Sequence, residues 1–333
     1  MKLTIEQLLD QKSLTQEEAR EVMVKIMSGE YDDAKIAGFL IALRAKGEKS
    51  EEIAGFAQAM REKMTSIPIS SDAIDMCGTG GDASGTFNIS TAASFVVAGA
   101  GVKVAKHGNR SMTSRSGSAD VLEALGVDIT LSPEKVAECI ETIGLGFMFA
   151  PSLHPAMKYA MGARKSLAVR TVFNILGPLC NPAGVKRQVI GVFDGKLTDR
   201  MAEVLKLLGA EHAMIVHGND GLDEISTTDA TKYTELTPDG EIHSGMLTPP
   251  DFGLPVSSPE SLLGGEPSEN AEIIHSIFDG EKGSPRDIVV VNAAAGIKVG
   301  GKAKSLTDGI KLAEESIDSG LAKNVLQSLA AVK

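Results

Sequence analysis

Four stretches of the 333-residue chain gather the residue types that handle anions and cations. The first, CGTGGDASGTFNIST (Cys77 to Thr91), sets Gly78, Gly80 and Gly81 where backbone N–H groups can converge on an anion with no Cβ atom in the way. Asn88, Ser90 and Thr91 stand where the apolar run AASFVVAGAGV begins a helix. The first turn of that helix offers unpaired donors and a positive dipole end to a phosphate. No GK[ST] follows and the glycine spacing is not GxGxxG, so neither standard nucleotide loop is present. Taken alone, the stretch is equally well explained as a tight, hydroxyl-rich turn.

The second stretch is AKHGNRSMTSRSGSADVLEALG. Lys106 comes straight off the apolar strand VKVA (102–105), and strand ends in α/β folds face the ligand crevice. His107, Asn109 and Arg110 follow, and Ser118 is placed to cap the next helix. Two strand–loop–helix units that each deliver anion donors point to a ligand with two phosphate groups. Arg110 and Arg115 read more readily as solvated surface charge, and His107 also fits a plain hydrogen-bonded loop residue.

In the third stretch, HGNDGLDEIS, Asp223 and Glu224 are adjacent. On a regular strand they would point to opposite faces, but a loop loosened by Gly218 and Gly221 can turn both toward one cation. Two hard carboxylates with no His or Cys nearby suit Mg²⁺ shared with substrate phosphates. Acid pairs in loops are more often merely solvated; this pair stands at the end of the apolar strand HAMIVHG (212–218). The fourth stretch, ARKSLAVRTVFNILGPLCNPAG, brings Arg164, Lys165 and Arg170 into apolar surroundings before a rigid Pro/Gly loop. A positively charged helix end followed by a turn accounts for much of it, whereas two arginines also suit bidentate recognition of a carboxylate. No Ser-His-Asp or Cys-His arrangement presents itself, and His154 and His217 lack sequence company that would make them bases.

These stretches need elements to hold them. The first 65 residues read as helices only: Thr15 to Glu18 is a capping box and Gly29 a stop. Ile36, Phe39, Leu40 and Leu43 line one helix face that Gly47 ends. Ser50 is expected to cap a third long helix carrying Ile53, Phe56, Met60 and Met64. So few helices make a poor independent core, so they should pack on another surface, a partner subunit being one candidate. From about residue 72, VKVA, RQVIGVF (187–193), HAMIVHG and DIVVVNAA (287–294) read as strands between helical segments. That alternation predicts an α/β domain with a mainly parallel central sheet. The expected division is a helical domain over 1–68, joined by a helical insert at 152–180, and an α/β domain over 69–333.

With 44 acidic residues against 33 basic ones the net charge is −11, which argues against nucleic acid or an anionic membrane as partner. Cys77, Cys139 and Cys180 are far apart without CxxC spacing, so reduced thiols are expected. No apolar leader and no run of about 18 apolar residues appears, and the expected location is the cytoplasm.

The segments GTGGD, TFNIST, KHGNRS with SGSADVLEALG, FAPSLHPAM, RTVFNILGPLCNPA, VHGNDGLDE and the tail from NAAAGI to AEESIDSG closely resemble the anthranilate phosphoribosyltransferases of tryptophan biosynthesis. The resemblance runs over nearly the whole chain. It implies a small helical domain on a larger α/β domain and a homodimer formed through the helical domains. It also implies transfer of phosphoribose from phosphoribosyl pyrophosphate to the amino group of anthranilate, with Mg²⁺ and release of pyrophosphate. Residue by residue, Gly78, Thr79, Gly81, Asp82, Thr86, Asn88, Ser90, Thr91, Lys106 and Ser118 match the phosphoribosyl pyrophosphate site. Asp223 and Glu224 match the metal site, with Ser90 as a further ligand. Asn109 and Arg164 match anthranilate contacts, and Gly78, His107, Ala150, Pro151 and Pro178 the lining around them.

Three positions depart from the family pattern. Gly162-Ala163-Arg164 replaces the frequent Pro-Val-Arg, Ala168 stands where glycine is common, and so does Ala83. The first bears on the helix holding Arg164, and the other two on backbone geometry. Two other readings stay open. The pyrimidine nucleoside phosphorylases are similar in architecture but would not need the Asp-Glu pair, and their own signature is not visible. A nucleic-acid-binding relative would show a basic surface and degraded loops.

Overall fold

The computed structural model describes residues 1–82, 84–111 and 115–333. Four helices open the chain: α1 (Lys2–Leu9), α2 (Gln16–Met27), α3 (Asp33–Lys46) and α4 (Ser50–Lys63). The α2 capping box is formed as expected, with the Glu18 N–H donating to Thr15 Oγ1 at 3.2 Å and the Thr15 N–H donating to Glu18 at 2.8 Å. Asp32 caps α3 and Gly47 ends it with φ of 86°. Ser50, expected as a cap, is instead the first residue of α4, and Lys49 is the N-cap. The Ser50 hydroxyl donates instead to Glu203 Oε2 at 2.6 Å, and the helix start is held by the buried Glu52 carboxylate. It accepts the Lys49 N–H at 2.8 Å and the Leu14 N–H at 2.9 Å, and pairs with the Lys46 ammonium at 2.8 Å.

The seven-stranded sheet comprises β1 (Ile74–Gly78), β2 (Val104–Gly108), β3 (Leu145–Phe149), β4 (Arg187–Gly191), β5 (His212–Gly218), β6 (Thr231–Leu236) and β7 (Ile242–Leu247). Their order is β3-β2-β1-β4-β5-β6-β7, parallel through β5 and antiparallel beyond it. The buried residues form two large cores, one on each face of the sheet, and a smaller third around Ala105, Ile140 and Met148. Val189, Met214 and Val216 face one side, with Phe95 and Val97 of α5 (Ile89–Gly99) and with Ile288, Val291 and Ile297. Ile190, Val192 and Ile215 face the other, where Phe39, Phe56 and Ile53 of the N-terminal helices join them. The helical domain therefore closes its core on the sheet and on the insert, through Ala160, Ala163, Phe173 and Leu176.

Two readings of the sequence are corrected here. Residues 287–294 are helical, inside Ser284–Val299, and not a strand. That helix is buried on nearly every side, so its apolar residues run together and lose the periodicity that separates a helix from a buried strand. Strand β2 starts at Val104 and continues to Gly108, so Lys106 and His107 lie within it, opposite Phe147 and Met148 of β3. Strands β1, β3, β6 and β7 escaped the sequence reading. β1 carries Asp75 and a terminal glycine, and β7 is largely exposed, so neither shows a long apolar run.

In the insert, the helix Lys158–Leu167 lies against α3 so closely that a Cβ on Gly162 would sit 2.1 Å from Asp33 Oδ2. The Gly162 departure is thus matched to its neighbour. Ala168 ends the same helix in the left-handed region, with φ of 50° and ψ of 28°. A glycine has no steric penalty there, which gives a physical reason for the glycine that the family resemblance leads one to expect at this position. Among the described residues no helix is long and apolar enough to cross a membrane. Replacing Ala168 by Gly should relieve the left-handed strain and, after the entropy cost of glycine, raise unfolding stability by about 0.5–1 kcal/mol. Urea unfolding measures this; a loss of stability would mean that the helix end takes another conformation in solution.

Candidate active site

The strand order reverses between β1 and β4, where open α/β sheets bind ligands beyond the strand ends. Both strands finish in glycine, and Gly78 and Gly191 are in register. The reason is Asp223, which follows β5 and lies across both ends. A Cβ on Gly191 would fall 1.5 Å from the Asp223 main-chain oxygen, and one on Gly78 2.3 Å from Asp223 Oδ2. The Gly80 N–H donates to Asp223 Oδ2 at 2.9 Å, and the Thr79 N–H to the Gly191 carbonyl at 2.9 Å. Beside it, the Ser90 N–H in the first turn of α5 donates to Glu224 Oε1 at 3.1 Å. The adjacent acids thus each hold one end of the glycine-rich loop.

Burial, reinforced by Asp82, lifts Asp223 to about 6. Burial and then the charge of Asp223 lift Glu224 to about 8, while Lys106 opposes the shift. The pair is short of positive charge: neither carboxylate makes an ion pair with lysine or arginine among the described residues. Among those residues no cluster of three or more His, Cys, Asp or Glu exists either. Two hard oxygen donors that cannot enclose a cation alone fit Mg²⁺, which completes its shell with water and ligand phosphates. Ser90 stands next to this pair by its backbone bond to Glu224.

One strand over, Lys106 is 2% exposed and donates to the Met76 carbonyl at 2.6 Å. Burial lowers its pKa, and the neighbouring Asp75 charge opposes this most strongly. Asp75, a fully buried carboxylate that the motifs did not single out, accepts the His107 N–H at 3.1 Å and Asn181 Nδ2 at 2.8 Å. Asn181 Nδ2 also donates to the Ala105 carbonyl at 2.9 Å. Asp75 therefore anchors the backbone around Lys106 to the loop at the end of the insert. Its one signal in the sequence is a lone acid inside the apolar run IDMC.

His107 and His154 meet with Nε2 atoms 3.2 Å apart, so His154 does have a partner that chain order concealed. Burial, then the neighbouring His154, holds His107 down to about 3, and burial holds His154 at about 4, so both rings are neutral near pH 7. The His107 ring also bonds the backbone at Gly177, and His154 the backbone at Cys180. These contacts draw together β2, the helix Ala150–Leu153 with Ala150 and Pro151, and the turn Gly177–Leu179 with Pro178. The result is an uncharged wall. Arg164, on Lys158–Leu167, lies with its guanidinium 5.3 Å from the Phe173 ring centroid and has no carboxylate partner among the described residues. No contact joins it directly to Asn109 or His107 in the free protein among the described residues. Burial lowers its pKa.

The remaining loop residues are bound into the frame. Asn88 is the N-cap of α5 but makes no capping bond, because its side chain is engaged with Ser116 and Asn270. Thr86 bridges to Leu263, Thr79 Oγ1 accepts the Phe193 N–H at 3.1 Å, Asp82 accepts the Ser84 hydroxyl, and Thr91 is buried in α5. Ser118 does not cap its helix; Gly117 is the N-cap. The Asp120 carboxylate accepts the Gly117 N–H at 2.8 Å, and Ser118 Oγ donates to the Asn109 carbonyl at 3.2 Å. Asn109 Oδ1 accepts the Arg110 N–H at 2.7 Å. Arg110 pairs with Asp120 and Glu123, and Arg115 is exposed, in keeping with surface charge. Arg170 donates to the Gly81 carbonyl and stacks 3.9 Å from the Phe193 centroid, while Arg44 of α3 donates to the Arg170 carbonyl. Ala83 lies outside the described residues.

Comparison with known proteins adds a family. Residues 70–323 match the model of the glycosyl transferase family α/β domain, and residues 2–64 that of its helical bundle domain. Anthranilate phosphoribosyltransferase from Acetivibrio thermocellus is 54% identical over 97% of this chain and 93% of its own length. The enzyme of that name from Alkaliphilus metalliredigens is 52% identical over 99% and 97%. Among solved structures, the anthranilate phosphoribosyltransferase from Thermus thermophilus superposes with a TM-score of 0.92 at 43% identity, over 98% of both chains. The enzyme from Saccharomyces cerevisiae in complex with PRPP and Mg superposes with a TM-score of 0.89 at 29% identity, over 98% and 97%. Its complex with 4-fluoroanthranilate gives 0.87 at 28% identity, over 98% and 95%.

The close approach of Gly78 to Asp223 yields a test. Gly78→Ala must push the carboxylate off the Gly80 N–H. If that carboxylate binds the cation, Mg²⁺-dependent pyrophosphate affinity should fall roughly tenfold to a hundredfold, the worth of one charged hydrogen bond. Calorimetry showing unchanged Mg²⁺-dependent binding would remove Asp223 from the metal site.

Proposed function

Because the chain belongs to the anthranilate phosphoribosyltransferase family, we propose that the crevice beyond β1 and β4 binds phosphoribosyl pyrophosphate with Mg²⁺. The reaction is transfer of the 5-phosphoribosyl group to the amino group of anthranilate, giving N-(5-phosphoribosyl)anthranilate and pyrophosphate, the second step from chorismate in tryptophan biosynthesis. The observation that carries the site assignment is the Asp223–Glu224 pair, short of positive charge and held by backbone donors of the phosphate loop.

The roles we propose rest on the family resemblance and are supported by the geometry of the crevice. Gly78, Thr79, Gly81 and Asp82, with the α5 N-terminus at Asn88, Ser90 and Thr91, cradle the pyrophosphate, and Thr86 and Ser118 border it. Lys106 contributes a fixed ammonium beside the counter-charge of Asp75. Asp223 and Glu224, with Ser90, hold the cation, which when bound neutralises charge developing on the leaving pyrophosphate. Arg164 reads the anthranilate carboxylate, Asn109 is a second contact of the same substrate, and the neutral wall of His107, Ala150, Pro151 and Pro178 receives the ring. As the bond from ribose C1 to the pyrophosphate oxygen breaks, the amine nitrogen bonds to C1 and then sheds its proton to solvent. An aromatic amine so alkylated is acidic enough to need no strong protein base. Holding the two substrates aligned can supply roughly 7–11 kcal/mol of the barrier reduction in favourable cases.

We also take residues 1–68 with the insert 152–180 as the helical domain and the remainder of 69–333 as the α/β domain, and we place the enzyme in the cytoplasm with no nucleic-acid or membrane partner. We propose a homodimer through the helical domain. Leu3 of α1, Ile41 of α3 and Tyr159 and Met161 of the adjoining insert helix are exposed apolar residues on neighbouring elements. Light scattering at micromolar concentration should report twice the chain mass; a monomer there would discard the dimer.

The decisive experiment on the metal is the double change Asp223→Asn, Glu224→Gln. Both acids have folded pKa values above their ordinary ones, so the free protein loses stability as pH rises from about 4.5 toward 8, and the ionised pair burdens the fold there. The amides should therefore melt at pH 8 no lower than the parent, while turnover falls at least about a hundredfold and recovers in part at higher Mg²⁺. Normal turnover at low Mg²⁺ would sink the assignment.

A further inference from the structure

Asn270, in the helix Pro267–Phe278, is 1% exposed and belongs to none of the four motif stretches. Its side-chain oxygen accepts the Gly265 N–H at 2.8 Å, and its Nδ2 donates to Asn88 Oδ1 at 2.9 Å. Asn88 Oδ1 also accepts from Ser116 Oγ at 3.1 Å, and Asn88 Nδ2 donates to the Ser116 carbonyl at 3.1 Å. A side-chain amide has two acceptor positions on oxygen and two N–H donors. On Asn88 both acceptor positions and one donor are occupied within the protein. Among the described residues, the capacity that remains for a ligand is one N–H.

That remainder has the sign an anion requires. An amide free to turn over would as readily present its carbonyl oxygen, which repels phosphate oxygens. Two donors converging on Oδ1, one from Asn270 and one from Ser116, oppose the turn. The segment that Asn270 braces is itself stitched to the phosphate loop, since the Gly264 N–H donates to the Gly85 carbonyl at 2.9 Å and the Phe87 N–H to Leu262 at 3.2 Å. Resting on the reading of Asn88 as a contact of phosphoribosyl pyrophosphate, we infer that Asn270 is a positioning residue for that ligand. It locks the Asn88 amide so that its remaining N–H is available to the ligand, and ties the start of α5 to the loop around Ser116.

The change Asn270→Asp isolates this role. It keeps the oxygen that receives the Gly265 N–H and sets an acceptor, in place of a donor, against Asn88 Oδ1. Calorimetry with phosphoribosyl pyrophosphate and Mg²⁺ should give a dissociation constant raised roughly tenfold to a hundredfold, with the anthranilate KM little changed. In an Asn88→Ala background the same change should add nothing further, because the two residues act as one unit. Equal weakening in both backgrounds, or parent-like affinity in the single variant, overturns the role of Asn270. Should the aspartate variant fail to fold, Ser116→Ala removes the other donor to Asn88 Oδ1 and must also weaken the ligand; unchanged affinity there overturns the lock. Failure of the parent protein to bind phosphoribosyl pyrophosphate overturns the functional reading itself, a different result from parent binding with an unaffected variant.

Discussion

Asp223 occupies the space that two side chains would otherwise fill. With glycine at the ends of β1 and β4, the turn after β5 can lay its backbone on Gly191 and its carboxylate on Gly78. Every later feature of the site depends on that approach. It seats the acid where it receives the Gly80 N–H, brings Glu224 to the first turn of α5, and so fixes the glycine-rich loop to the crevice. The cost is visible in the two raised carboxylate pKa values, which mark a place left short of positive charge. Sites of this kind trade stability of the free protein for readiness to bind.

The sheet sets that local arrangement between two unlike surroundings. Its one face carries α5 and the helix Ser284–Val299, which support the phosphate side. Its other face carries the N-terminal helices and the insert, which deliver Arg164 and the Gly177–Leu179 turn. Few bonds cross between the two halves at the site, and they are specific. Asp75 joins β1 to β2 and to Asn181 at the end of the insert. Arg170 reaches from the insert to Gly81 while Arg44 of α3 holds the Arg170 backbone. The helical domain is thereby connected to the phosphate loop through two consecutive contacts.

Electrostatically the halves are unlike. The phosphate side combines an enclosed ammonium, backbone donors and two carboxylates suited to a cation. The side toward His107 and His154 is neutral, because two imidazoles in contact and out of water cannot easily take protons. An uncharged wall of this kind suits an aromatic ring, and a guanidinium such as that of Arg164, on the insert helix, suits a carboxylate.

What the sequence determined by itself was local. The Thr15–Glu18 cap, the apolar face of α3, the helical start, the alternation of the later chain and the placement of Gly80, Gly81, Asp223 and Glu224 in two loops were all legible, because each rests on spacing within a few residues. Capping at Ser50 and Ser118 was misread because each hydroxyl donates to a partner outside its own helix, Ser50 to Glu203 and Ser118 to the Asn109 carbonyl, while each helix starts one residue earlier in a turn held by Glu52 or Asp120. Residues 287–294 were misread because complete burial erases the pattern that distinguishes helix from strand. Tertiary structure alone decided the rest. Asp75 with Asn181, His107 with His154, and Asn88 with Asn270 are separated in the chain by 106, 47 and 182 positions, and no periodicity links them. Their meeting follows from strand order and from which face of the sheet each loop crosses. Spacing along a chain encodes neither.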